Sequence, residues 1–182
     1  MNKFIAIILL IFLLPIISLI FICILIEDGY PIIFKQKRVG VNYSYFKIYK
    51  FRSMKKNTPN VATHLLINPD QYLLKVGKLL RKTSLDELPN LINILKGEMV
   101  FVGPRPALYN QDDLMEFRVA TGVSKLKPGI TGWAQINGRD EISIAEKVKL
   151  EQEYLYKKSF LFDLEILIKT FTNVLFRKGV SH

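Results

Sequence analysis

FIAIILLIFLLPIISLIFICILI, residues 4–26, is apolar at every position except Pro15 and Ser18. Its length matches the roughly 20 residues needed to cross a hydrocarbon core of about 30 Å, so it predicts a membrane segment. Cleavage as a signal peptide is disfavoured, because bulky Ile and Leu continue up to Glu27 and Asp28 with no small-residue site. Lys35, Lys37, Arg38, Lys47, Lys50 and Arg52 follow closely, and such a positive flank places the bulk of the chain in the cytoplasm. Lys3 makes the amino terminus basic too, so both ends prefer the same side. Pro15 stands mid-run, where its ring and missing N–H kink or break a helix. A re-entrant helix satisfies these observations, and a spanning helix with a tolerated proline fits them equally on physics alone.

The remainder is one domain's worth of protein. At 182 residues the chain is too short for two independent catalytic domains, and no long Gly/Ser/Pro linker or repeat divides it. The expected organisation is a membrane helix over residues 1–28 and a cytoplasmic domain over residues 29–182. A formal charge of +10 suits nucleic acid, anionic headgroups or phosphorylated substrates about equally. Cys23 is the only cysteine and His64 and His182 the only histidines, which excludes an intrachain disulfide or thiolate metal site and makes zinc unusual. A hard, oxygen-ligated ion such as Mg²⁺ remains compatible.

Pro31–Phe34 and Tyr45–Phe51 read as strands joined by a turn at Gly40–Ser44. Residues 70–82 read as helix, and Leu85, Leu88, Leu91, Ile92 and Leu95 continue a helical stripe to Gly97. Met99–Val102 is a candidate strand. Pro104, Pro106, Pro128, Gly129 and Gly132 mark a loop-rich middle, residues 141–158 a charged helix, and Phe160–Phe176 an amphipathic stretch that packs on the core or lies in the lipid interface.

Asp86 and Glu87 are the sharpest candidates for chemistry. Ser84 followed three residues later by Glu87 matches a capping box. Pro89 opposes that, since it would be the fifth helical residue, where the backbone N–H is already needed; a cap at Asp86 or later is more comfortable. The acids then sit at a helix mouth, where the dipole and nearby Arg81 and Lys82 favour the ionised carboxylate that a metal ligand or nucleophile requires. Pro104 and Pro106 hold Arg105 in a stiff loop suited to bidentate phosphate contacts, although a solvated surface turn explains it too. Lys127–Arg139 adds glycines that admit close backbone approach, with Arg139 as a further cation and Trp133 as a ring that stacks or fills core. Lys50 and Arg52 alternate along a strand, either presenting cations from one face to the same site or lining a solvated edge.

Lys50-Phe51-Arg52-Ser53-Met54, Thr83-Ser84-Leu85-Asp86-Glu87-Leu88-Pro89, Gly103-Pro104-Arg105-Pro106 and Pro128-Gly129-Ile130-Thr131-Gly132, in this order, resemble the small monotopic phosphoglycosyl transferases. The resemblance implies an α+β fold: a re-entrant membrane helix, then a mostly helical cytoplasmic domain with a small β-hairpin and interfacial amphipathic helices. It departs from the family in carrying Leu14-Pro15 where Ser-Pro is usual. It implies transfer of a sugar-1-phosphate from a UDP-sugar to undecaprenyl phosphate at the bacterial inner membrane, releasing UMP, as the first membrane step of capsule, O-antigen or glycoprotein glycan synthesis. By position, Asp86 resembles the nucleophile of a covalent phosphosugar intermediate and Glu87 its partner in handling Mg²⁺ and the acceptor proton. Arg105 and Arg139 resemble phosphate clamps, Lys50 and Arg81 further site cations, and Asp163 a late acid of the substrate site. The implied partners are an N-acetylated UDP-sugar, UDP-N-acetylfucosamine first and UDP-N,N′-diacetylbacillosamine second, and later glycan-assembly enzymes, with no nucleic acid. Two other functions compete: a membrane glycosyltransferase moving only the sugar and releasing UDP, and a basic membrane scaffold.

Overall fold

The computed structural model describes residues 2–59, 68–138 and 142–176. The apolar run forms two helices, α1 (Asn2–Phe12) and α2 (Leu14–Asp28), bent by 63° at Leu13. Pro15 explains the break: in the first turn of α2 its missing N–H costs nothing, whereas within one continuous helix it would leave the Ile11 carbonyl unbonded and clash with it. Neither helix alone is long and apolar enough to cross a membrane; the bent pair together has the length and composition.

A hairpin follows, β1 (Ile33–Val39) antiparallel to β2 (Tyr45–Phe51), pairing Ile33 with Phe51 and Val39 with Tyr45. The first strand runs five residues beyond the Phe34 end expected from sequence, through a stretch rich in lysine and arginine. Lys37 lies 3.8 Å from the Tyr45 ring centroid and Lys35 5.9 Å from that of Tyr49, so aromatic neighbours accommodate cations on an exposed strand face.

Helix α3 (Lys75–Thr83) starts later than expected because its cap comes from another part of the chain. Glu27, at the end of α2, accepts the Lys75 and Val76 backbone N–H groups at 2.5 and 3.1 Å. Gly77 lets α3 meet the extended segment that follows β2, since a Cβ there would stand 2.0 Å from the Ser53 carbonyl oxygen. The stripe expected as one helix splits into a 3-10 turn at Leu85–Glu87 and α4 (Asn90–Lys96), which ends at left-handed Gly97.

The middle of the chain holds more structure than its prolines and glycines suggest. β3 (Val100–Val102) pairs in parallel with β4 (Gly129–Thr131), and α5 (Asp112–Ala120) and the short α6 (Trp133–Ile136) lie on either side of β4 in sequence. Helix α7 (Ile144–Lys157) carries a true capping box, Ser143 with Glu146, and α8 (Phe160–Phe176) ends the described chain. The architecture is α+β, as expected.

Both apolar helices share cores with the rest. Ala6 of α1 is buried with Phe46, Ile48, Leu91, Ile94 and Met99. Ile20 and Ile24 of α2 are buried with Ile32, Phe51, Leu74 and Leu80. Arg52 joins them at the α2 end: it donates to the Asp28 carboxylate at 2.6 Å and to the Asp28 and Gly29 carbonyls, so it is a structural tie and not a cation of the Asp86 site. Helix α8 buries Ile166 and packs Phe162 on Trp133 and Tyr154. Its Leu161, Ile168 and Phe171 stay exposed, as do Phe4, Ile11 and Phe12 of α1.

Candidate active site

Helix α3 stops at Ser84, whose left-handed backbone (φ 56°) turns the chain into the Leu85–Glu87 turn. Backbone bonds from Glu87 N–H to the Ser84 carbonyl and from Leu88 N–H to the Leu85 carbonyl hold it. The Ser84 hydroxyl makes no capping bond, so the capping-box alternative fails here. Pro89 occupies the position just before α4, and both acids lie at the mouth of that helix.

Lys50 reaches them from β2, its Nζ 2.6 Å from Glu87 Oε1 and 3.8 Å from Asp86 Oδ2. Buried Asn93 sets that reach: its carboxamide bonds the Tyr49 N–H and the Lys47 carbonyl, fixing α4 to β2. Arg105 places a guanidinium nitrogen 3.7 Å from Glu87 Oε1. Arg81 donates its Nε–H to Ser53 Oγ at 3.0 Å and acts electrostatically on Asp86, while Lys82, next on the helix, is exposed. Lys50, Arg81 and Arg105 therefore converge on the two acids. Arg139 lies outside the described residues.

Asp163 sits elsewhere, in the first turn of α8. It accepts a 2.7 Å bond from the Tyr154 hydroxyl, which also lies 3.1 Å from the Val102 carbonyl at the end of β3. Burial and the Asp163 contact push the Tyr154 phenol far up, so it stays a neutral donor. Trp133 is half-buried, packed on Phe162, with its indole N–H donated to Glu153 at 2.9 Å.

The electrostatics of Asp86 differ from the sequence expectation. Burial pushes its carboxyl above the ordinary value; Lys50 opposes this, Glu87 adds to it, and Arg81 and Arg105 oppose it. Taking the carboxylate out of water outweighs the cations around it.

Arg38, which the sequence offers only as part of the positive flank, stands beside this group. It donates to the Pro106 carbonyl at 3.0 Å and to Gln36 at 2.7 Å, and its Nε is buried with no partner among the described residues. Burial first and then Arg105 lower it to about 10, with Glu87 opposing. The only sequence signal was period two, which puts Gln36 and Arg38 on the same face of β1. Arg118 and Glu151, a buried pair whose arginine also donates to the Arg105 carbonyl at 3.0 Å, gave no signal, being charged residues on two charged helices.

A cavity of about 280 Å³ opens from this cluster. Ser84, Glu87 and Arg105 line its polar end, Leu88, Leu91, Phe101 and Ile130 its walls, and Leu9 and Leu13 carry it to the α1/α2 bend. Gln135 of α6 and Thr170 and Asn173 of α8 form the remaining polar edge. Two adjacent acids among cations, with Glu87 and Arg105 lining the end of an apolar channel, suit a reaction between a phosphorylated polar molecule and a lipid.

Residues 1–177 match the bacterial sugar transferase family. The uncharacterized sugar transferase EpsL of Bacillus subtilis (strain 168) is 43% identical over 157 residues, covering 86% of this chain and 76% of that protein. The UDP-glucose:undecaprenyl-phosphate glucose-1-phosphate transferase of Escherichia coli (strain K12) is 41% identical over 164 residues, 86% of this chain and 35% of the relative. The UDP-N-acetylgalactosamine-undecaprenyl-phosphate N-acetylgalactosaminephosphotransferase of Aeromonas hydrophila is 35% identical over 159 residues, 85% of this chain and 38% of the relative. The chain thus spans little more than a third of these two larger proteins. Because the family match takes in both the bent apolar helices and the turn that carries Asp86 and Glu87, this chain belongs to the bacterial sugar transferase family.

Proposed function

We propose that the chain is a phosphoglycosyl transferase that moves a sugar-1-phosphate from a UDP-sugar to undecaprenyl phosphate and releases UMP. The observation that carries it is the Asp86–Glu87 pair, approached by Lys50, Arg81 and Arg105, with Glu87 lining the polar end of a channel that reaches the apolar helices. In the first displacement an Asp86 oxygen attacks the phosphorus that bears the sugar. The bond to the bridging oxygen breaks and UMP departs with its electron pair. In the second, a phosphate oxygen of the lipid attacks that phosphorus and the carboxylate leaves, giving a lipid-diphosphate-linked sugar and regenerating Asp86. The covalent adduct divides one difficult transfer between two unlike substrates into two displacements, and the cations stabilise charge in each.

Asp86 and Glu87 are adjacent hard oxygen donors, and among the described residues no group of three or more acidic, histidine or cysteine side chains is placed to hold a metal. Two carboxylates fit Mg²⁺, which completes its shell with waters and substrate phosphates. Bound there, Mg²⁺ would offset the charge of the diphosphate. The proposed donor is an N-acetylated UDP-sugar, on the motif resemblance; relatives named for glucose, galactose and N-acetylgalactosamine put UDP-glucose, UDP-galactose and UDP-N-acetylgalactosamine in the same assay. Purified protein with undecaprenyl phosphate and its UDP-sugar should release UMP and stop on chelation with EDTA. Release of UDP would identify sugar-only transfer, release of neither with any donor a scaffold, and full turnover in excess EDTA would remove the metal.

The bent apolar pair and the exposed apolar face of α8 support a monotopic placement on the bacterial inner membrane, with the site facing the cytoplasm. Cysteines introduced at Lys3 and Asp28 should both label from the cytoplasmic side only. Periplasmic labelling at Lys3 would establish a spanning segment instead.

A further inference from the structure

Gln135 lines the cavity, and among the described residues neither its Nε2 nor its Oε1 has a hydrogen-bond partner, though both are withdrawn from solvent. A buried primary amide with all its capacity unused is rare, because each orphan group forfeits the bonds it had in water. The backbone around it is shaped to admit it. A Cβ on Gly132 would stand 2.6 Å from Gln135 Oε1 and 2.2 Å from the Gly103 carbonyl, so only glycine there lets the amide lie against the loop that carries Arg105. The amide therefore sits beside the loop of Arg105, in a channel whose other end is Leu9 and Leu13.

We propose that Gln135 reads the phosphate end of the lipid acceptor. This rests on the phosphoglycosyl transferase reading for the identity of the lipid. The channel favours the lipid over the nucleotide sugar because its walls are mostly leucine, isoleucine and phenylalanine and because it runs to the bend of the apolar helices. A phosphate monoester offers acceptor oxygens to Nε2 and, when singly protonated, a P–O–H donor to Oε1, which matches both free functions of the amide. Arg105 supplies charge at the same end; Gln135 supplies direction.

Gln135→Leu keeps the length and removes both polar functions. In detergent solution it should weaken binding of undecaprenyl phosphate roughly 10- to 100-fold, the size of a hydrogen bond to a charged group. Binding of undecaprenol, which lacks the phosphate, should not change, and the variant should melt at or above the wild-type temperature because a buried orphan amide is gone. Equal loss for both lipids, no loss for either, or a clearly lowered melting temperature would each overturn the assignment, since they mark a packing role or none. A UMP burst from UDP-sugar and wild-type protein without acceptor checks the reaction separately: its absence, with the phosphate discrimination intact, leaves Gln135 assigned and removes the transfer chemistry.

Discussion

Asp86→Asn is expected to lower turnover by about 10⁴-fold or more, the scale on which loss of a covalent nucleophile is felt in other enzymes. Asparagine keeps the shape but its amide oxygen cannot displace UMP. Asp86 is favoured over Glu87 because Lys50 grips Glu87 at 2.6 Å and stands 3.8 Å from Asp86, leaving the latter more of its basicity. Burial raises that basicity further. Without the metal, the titration of the Asp86 carboxyl should accordingly have its acid limb above the pH of an exposed aspartate, because burial outweighs the cations around it. Lys50→Met removes the largest influence lowering it and should move the limb higher still. For stability the sign is opposite. A carboxyl raised on folding contributes stability while protonated, and loses that contribution as pH rises through its folded pKa. Asp86→Asn should thus melt at or above wild type at neutral pH. Near wild-type turnover in the variant would sink the nucleophile assignment; a lowered melting temperature would show the carboxylate to be structural.

What the sequence disclosed was local. Pro15 announced the break between α1 and α2, Gly97 the end of α4 and Pro89 the failure of the capping box, because each acts on the backbone within a turn of itself. What it concealed depends on partners far along the chain. Glu27 caps α3 from 48 residues away, and that bond delays the helix start beyond its hydrophobic pattern. Arg52 looked equivalent to Lys50 by strand alternation, but the α2 end claims it through Asp28. β4 has three residues and no alternation of its own; it exists because Gly103 and Gly129 let two backbones approach, a relation invisible until the parallel pairing is known. The same limit governs the site. Composition showed many cations, and only the fold separates Arg81, turned toward Asp86, from Lys82 beside it in solvent.

Glu151→Ala should be the most destabilising single change at a position remote from the acids, costing about 3–5 kcal/mol, as breaking a buried ion pair does. For a chain of this size that corresponds to a fall in melting temperature of roughly 6–20 °C. Arg118 and Glu151 are 5% and 2% exposed, and two bonds join the guanidinium to the carboxylate, so truncating the acid strands a buried cation. The pair is more than a staple, because Arg118 also donates to the Arg105 carbonyl at 3.0 Å and so holds the loop whose guanidinium faces Glu87. A double change, Arg118→Met with Glu151→Leu, separates the two roles. Apolar replacement of a whole buried pair is often neutral or stabilising, so the melting temperature should return close to wild type. Transfer should not return with it, because the Arg105 carbonyl loses the Arg118 donor that holds it; turnover about tenfold or more below wild type is expected, the order of one positioning hydrogen bond. Recovery of both stability and transfer would confine the pair to the fold, and a Glu151→Ala variant melting within a degree of wild type would deny it even that. The intermediate outcome, stable but slow, is the one expected, since the guanidinium that ties α5 to α7 also ties them to the backbone of the arginine at the reacting end of the channel.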